Sequence, residues 1–225
     1  MSTEAEVRKF YEDGLLVIEN FIGEEEIDEM RAECHRLVEE MNPAEHQTVF
    51  STTKQNVLKN LGYVDPVVMQ SMYIFKQPNI GGEVISHQDA SYLYCTPIKV
   101  VGLWVALEDA TLENGCLWYI PGSQKGGLLG DYRMIRNPKP DGKACVYIGE
   151  KPTNDDKSFV AAPVKKGSLV LIDGLVVHKS ERNMSDQSRH IYTFHVYDGT
   201  STWSDQNWIQ PTDAKTFSHI YDIKV

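Results

Sequence analysis

From Ile27 the apolar residues Ile27, Met30, Cys34, Leu37, Val38 and Met41 recur at intervals of three and four, the repeat of one buried helix face. Glu24, Glu25 and Glu26 precede the stripe, where the positive end of a helix dipole favours carboxylates, and Pro43 closes it. Upstream, a short helix around Ala5 to Glu12, then Gly14 and an apolar strand from Leu15 to Ile18, complete a helix-strand-helix opening over residues 1–45. After Asn56 the repeat shortens. Val67 to Phe75, Lys99 to Leu107, Cys116 to Ile120, Ser158 to Ala161, Ser168 to Ile172, Val176 to His178 and His190 to Tyr197 are short runs rich in β-branched and aromatic residues, separated by Gly, Pro, Asn and Asp. Strand after strand with no helical period between them predicts a mainly β protein, an antiparallel sandwich or barrel, with its core over residues 63–200. Residues 124–157 are polar and rich in glycine and proline, which predicts a long loop or lid.

Length and charge narrow the function. At 225 residues the chain fits one domain spanning 1–225. With 22 Lys and Arg against 32 Asp and Glu the formal charge is -10, so a general electrostatic grip on nucleic acid or an anionic membrane is not expected. The partner expected is a small-molecule substrate. The four cysteines form no CxxC pair, which fits reduced thiols. The acidic N-terminus carries no secretory or transit pattern, the apolar run Val100 to Leu107 is too short to span a bilayer, and Ile223-Lys224-Val225 is no peroxisomal address. A cytoplasmic location is expected.

His87-Gln88-Asp89 follows the Gly81-Gly82 turn. On extended backbone, residues i and i+2 face the same way, with alpha carbons about 6.6 Å apart, so both side chains can reach one ion. An HxD pair alone arises often by chance. His178, far along the chain on another predicted strand, is placed as a third ligand must be. Two imidazoles and one carboxylate on one face of an octahedron leave three positions open, the arrangement of non-haem iron oxygenases. Two histidines and an aspartate can also hold zinc in a hydrolase. Arg189 opens the next strand, where its planar fork matches a carboxylate. His190 and His195 lie five apart on that strand, hence on opposite faces. His35, His46 and His219 read as structural or surface residues.

The segments Gln70 to Pro78, His87-Gln88-Asp89, Trp104, Glu113 to Trp118 with Ile120-Pro121-Gly122-Ser123, His178-Lys179-Ser180 and Ser188-Arg189 together resemble the phytanoyl-CoA dioxygenase family. The resemblance implies a double-stranded β-helix (jelly-roll, cupin-like) with the N-terminal helices packed outside, and Fe(II), 2-oxoglutarate and O2 as cofactor and co-substrates. It implies His87, Asp89 and His178 as catalytic iron ligands. Met72, Trp104, Ser180 and Arg189 would line the 2-oxoglutarate pocket, with Ser180 and Arg189 on the distal carboxylate. The implied reaction is oxidative decarboxylation of 2-oxoglutarate coupled to hydroxylation of a substrate, an acyl-CoA or another anion. Related halogenases replace the carboxylate ligand, so Asp89 favours hydroxylation.

The chain departs from the family's pattern between the N-terminal helices and the strand of Met72, where members carry several tens more residues, including a lysine that helps bind 2-oxoglutarate. Neither Lys54 nor Lys59 matches it. A cupin-like metal-binding pseudoenzyme with little turnover is therefore the alternative. Lys125, Arg133, Arg136, Lys139 and Lys143 against Asp131 and Asp141 give residues 124–143 a local positive surplus, which reads first as a solvated loop and second as a lid over an anionic substrate.

Overall fold

The computed structural model describes residues 3–39, 56–139, 142–212 and 216–222. In chain order the elements are α1 (Glu4–Asp13), β1 (Leu15–Ile18), α2 (Glu24–Glu39), α3 (Asn56–Asn60), β2 (Pro66–Lys76), β3 (Val84–His87), β4 (Cys95–Thr96), β5 (Val100–Ala106), β6 (Leu117–Tyr119), β7 (Arg133–Arg136), β8 (Cys145–Ile148), β9 (Val160–Ala162), β10 (Leu169–Asp173), β11 (His178–Ser180), β12 (Arg189–Asp198), β13 (Thr202–Trp203) and β14 (Ser218–His219). Met41, Pro43, His46 and Lys54 lie outside the described residues.

Local chemistry sets the opening elements. Thr3 and Glu6 form a reciprocal capping box at the start of α1, and Gly14 ends it at φ 80, where its N–H reaches the Phe10 carbonyl at 2.7 Å. No side chain fits at Gly14, because a Cβ there would lie 2.6 Å from Gln124. The three glutamates fill the first turn of α2, which therefore starts at Glu24, before the first residue of the apolar stripe.

Two antiparallel sheets form the body. The larger has the order β1-β10-β5-β12-β2-β14, and the smaller has the order β3-β11-β6-β9. Along β12 nearly every residue is buried, because both faces of the central strands are covered. Ile191 joins Trp104, Ala106, Val170, Ile172, Leu117 and Tyr119 between the sheets. Tyr192, Phe194 and Val196 face the other way, with Leu103, Val105, Leu169 and Leu171, against Phe10 of α1 and Ile27, Met30 and Cys34 of α2. This is a jelly-roll double-stranded β-helix with few helices, packed on its outside.

Three expectations need correction. The run Val176 to His178 is not a strand as a whole: Val176 lies in a turn, its N–H on the Asp173 carbonyl, and β11 begins at His178. β3 escapes the apolar pattern because Val84 and Ile85 are exposed. Residues 124–157 are not a plain loop. β7 and β8 pair as a hairpin within them, from Arg133↔Ile148 to Arg136↔Cys145. Gly130 and Gly149 brace its base at φ 62 and φ 78, and a Cβ on either would lie 2.3 Å from a backbone oxygen of the opposite segment. Among the described residues no helix is long and apolar enough to cross a membrane.

Candidate active site

The smaller sheet brings the first two histidines together. β3 and β11 run antiparallel with His87 directly opposite His178, and the ring centroids lie 4.2 Å apart. The aspartate arrives by a turn and not along a continuous strand. Gln88 stays extended, at φ -115 and ψ 133, and Asp89 opens a 3-10 turn over Asp89–Ser91. The buried Gln88 side chain fixes this bend by donating to the Gly127 and Leu175 carbonyls at 2.9 and 2.5 Å and accepting from the Leu129 N–H at 2.9 Å. Asp89 Oδ1 is then 3.4 Å from His87 Nε2 and 3.6 Å from His178 Nε2. One ligand atom from each residue falls within 4.8 Å of the others, a facial set of two imidazoles and a carboxylate.

The tautomers suit a metal. His87 Nδ1 pairs with the Ile85 carbonyl at 2.8 Å and His178 Nδ1 with the Val176 carbonyl at 3.1 Å. A carbonyl only accepts, so each Nδ1 carries a proton, which leaves Nε2 as the atom each ring offers to a metal. Burial, then the charge of His87, lowers the His178 pKa to about 4. Burial alone would lower His87 too, but its hydrogen bond and charge pairing with Asp89 leave it raised. Burial would raise Asp89, yet the charges of His195 and His178 hold it well below the usual carboxylate range.

His195 is the histidine of β12 that faces this centre, while His190 faces outward, its Nδ1 2.5 Å from the Tyr73 hydroxyl. His195 Nε2 lies 3.2 Å from Asp89 Oδ2, close enough to pair with the charge but off hydrogen-bond geometry, so that oxygen keeps an unfilled acceptor position. Gly102, opposite His195 in β5, makes the room: a Cβ there would sit 3.1 Å from Asp89 Oδ2. Sequence reading left His195 without a role. Counting in twos from Arg189 along β12 places it on the same strand face, which was the available signal.

Arg189 is buried with no carboxylate beside it. Among the described residues none pairs with it, and its Nε has no acceptor. Burial pushes the guanidinium down to about 10, which leaves it charged at neutral pH. It lies over the Trp104 ring, 5.6 Å from the centroid. Lys76, its partner in the β2–β12 register, is also buried and donates to the Ser180 and Glu181 carbonyls. Burial, then the charge of Arg189, lowers Lys76 to about 8. Ser180 is buried, and its hydroxyl donates to the Gly115 carbonyl at 2.8 Å. Met72, opposite Thr193 in the β2–β12 register, is 37% exposed. Lys59 is exposed on α3. Within the positive stretch, Arg133 sits over the Tyr94 ring and donates to Gln206 at 3.0 Å.

The family profile described as phytanoyl-CoA dioxygenase matches residues 10–60 and 45–191. The chain belongs to the phytanoyl-CoA dioxygenase family. It is 46% identical over 226 residues to phytanoyl-CoA dioxygenase domain-containing protein 1 of Bos taurus, covering 98% of this chain and 76% of that protein. With the Danio rerio protein of the same name it is 39% identical over 288 aligned positions, covering 97% and 98%. That alignment is longer than the 225-residue chain, so the Danio rerio protein carries residues with no counterpart here. The two matched spans overlap at residues 45–60. The fold is shared with the crystal structure of the non-heme alpha ketoglutarate dependent carbocyclase SnoK from nogalamycin biosynthesis, at a TM-score of 0.68, 20% identity and 96% coverage of both chains. Family and facial triad together make the chain a non-haem iron, 2-oxoglutarate-dependent oxidoreductase.

Proposed function

We propose that the protein is a dioxygenase that couples oxidative decarboxylation of 2-oxoglutarate to hydroxylation of a small-molecule substrate. The observation that carries this reading is a buried, unpaired Arg189 in the same interior as the buried triad. An isolated buried cation is costly unless an anion completes it, and a dicarboxylate held at the metal by its other end does so. A zinc hydrolase has no use for that cation.

His87, His178 and Asp89 would hold the iron, through the two Nε2 atoms and the carboxylate. When bound, the iron supplies the chemistry by which 2-oxoglutarate and O2 yield succinate and CO2 while the second oxygen atom enters a substrate C–H bond. The carbonyls of Ile85 and Val176 keep both imidazoles in the ligating tautomer, and His195 steadies the second oxygen of Asp89. Arg189 receives the distal carboxylate, stacked on Trp104 so that its fork is already oriented. Ser180 adds a donor by turning its hydroxyl from the Gly115 carbonyl. Trp104 and Met72 supply apolar walls, the second of them open to water in this chain. Asp89 fills the carboxylate position, which supports hydroxylation over halogenation.

Binding is read without turnover. Adding 2-oxoglutarate under nitrogen to the Fe(II)-loaded protein should give a visible charge-transfer band that saturates at one equivalent. His178→Ala should abolish it. Arg189→Ala should weaken binding roughly 10- to 150-fold, the worth of about 1.5–3 kcal/mol for a charged hydrogen-bonded contact. Absence of a band in the unmodified protein contradicts the proposal, and the pseudoenzyme alternative then stands.

A further inference from the structure

A second cavity meets the metal centre at His87. It measures about 200 Å³, and its walls come from the end of β3, the turn after Asp89 and the hairpin segment. It shares no residue with the group of Arg189, Trp104, Ser180 and Met72. We propose that this cavity holds the substrate to be oxidised, and that the substrate is a small anion carrying a ring. This inference rests on the iron reading above.

The walls favour a ring. Tyr132 and Tyr147 lie parallel, 5.0 Å apart and 6° from coplanar. Tyr147 meets Tyr92 edge-on at 6.4 Å and 86°, and Tyr92 meets His87 edge-on at 5.7 Å and 80°. A continuous course of aromatic surface thus runs from the hairpin to an iron ligand. Flat rings pack on such walls in stacked or edge-on contacts, each contributing about 0.5–1.5 kcal/mol beyond area burial.

The charge favours an anion. Among the described residues Lys151 is the one lysine or arginine of the wall, and no carboxylate lines it. The basic residues Lys125, Arg133, Arg136, Lys139 and Lys143 do not line it. Ser86 and Asn154, joined by a 3.4 Å hydrogen bond, give the wall polar groups to orient a head group.

The size suits a short ligand. The cavity has room for roughly seven water-sized groups at about 30 Å³ each. That lies below the range of about 300–1,000 Å³ for drug-sized ligands, and far below a fatty acyl chain attached to a nucleotide carrier. A single ring with a carboxylate or phosphate fits.

Ligand-observed NMR saturation transfer tests the cavity directly. The full chain is used after chelator treatment and, in parallel, loaded with Zn(II), so that the result does not depend on iron chemistry. Phenylacetate and phenyl phosphate are the probes, with benzyl alcohol as the neutral control and palmitoyl-CoA as the long-chain control. At least one anion should bind, more tightly than benzyl alcohol, and the tighter of the two identifies the head group. Lys151→Met and Tyr147→Ala, both at exposed positions where folding is not at stake, should each weaken it about tenfold. Binding of neither anion, equal binding in Lys151→Met, or displacement of the anions by palmitoyl-CoA at lower concentration each overturns the proposal. Failure of the iron reading shows separately, as loss of the charge-transfer band with probe binding intact.

Discussion

His87 and His178 use the same local device: each ring donates Nδ1–H to the carbonyl two residues earlier, Ile85 or Val176, and so aims Nε2 at Asp89. Sequence spacing nominated His87, Asp89 and His178, which the fold gathers into one cluster, because HxD needs only an extended Gln88 and a suitable third histidine. It said nothing of His195, whose role depends on the register of β12 against β5 and on the space left at Gly102. Outer groups of this kind are commonly worth 10- to 100-fold in metal affinity. His195→Gln should therefore weaken Fe(II) binding by about that range, read by competition with a chelator, while leaving the unfolding midpoint near that of the parent. Unchanged affinity contradicts the positioning role. Lys76 was missed for a different reason. It lies within the Gln70 to Pro78 motif, but only the fold shows that it is buried beside Arg189.

The pairing of β3 with β11 presents two ligands, and the pairing of β10 with β5 carries the core behind them. The buried central strands were legible as apolar runs; β3 was not, because half of it is exposed. Leu171 of β10 is fully buried between that sheet and the helices. Leu171→Ala should destabilise the fold by about 2–5 kcal/mol in denaturant titration, through lost burial and the cavity left behind. The β7–β8 hairpin was read as a loop because glycine and proline dominate its composition, and its short strands show no clear alternation. Its base depends on Gly149, where φ is 78 and a Cβ would strike the Asp131 backbone. Gly149→Ala should weaken phenylacetate binding at least tenfold and leave the charge-transfer band with 2-oxoglutarate intact. Loss of both would mean that the hairpin supports the whole site.

For the molecule as a whole, a net charge of -10 opposes a dianionic co-substrate, so recognition falls to local cations, which the structure supplies as buried Arg189 with Lys76 beside it. Length was legible as ample for one core, and the 288-position alignment shows that the Danio rerio protein carries residues beyond those of this chain. Acid stability is set elsewhere. Buried Asp198 accepts from the Val64 and Thr200 N–H groups at 2.9 and 3.1 Å and pairs with Lys99 at 2.6 Å. Burial would raise its pKa, but the Lys99 contact and these N–H groups outweigh it and hold the carboxyl well below the usual range. Its contribution is therefore fully present above the unfolded value near 3.9 and is lost as pH falls below it. Asp198→Asn should cost about 2–3 kcal/mol at neutral pH and flatten the loss of stability below about pH 4. The central claim is tested most directly by succinate released per 2-oxoglutarate consumed, with Fe(II) and O2 supplied. One succinate per 2-oxoglutarate, well above the His178→Ala background, is the expected result; release no greater than that background contradicts it.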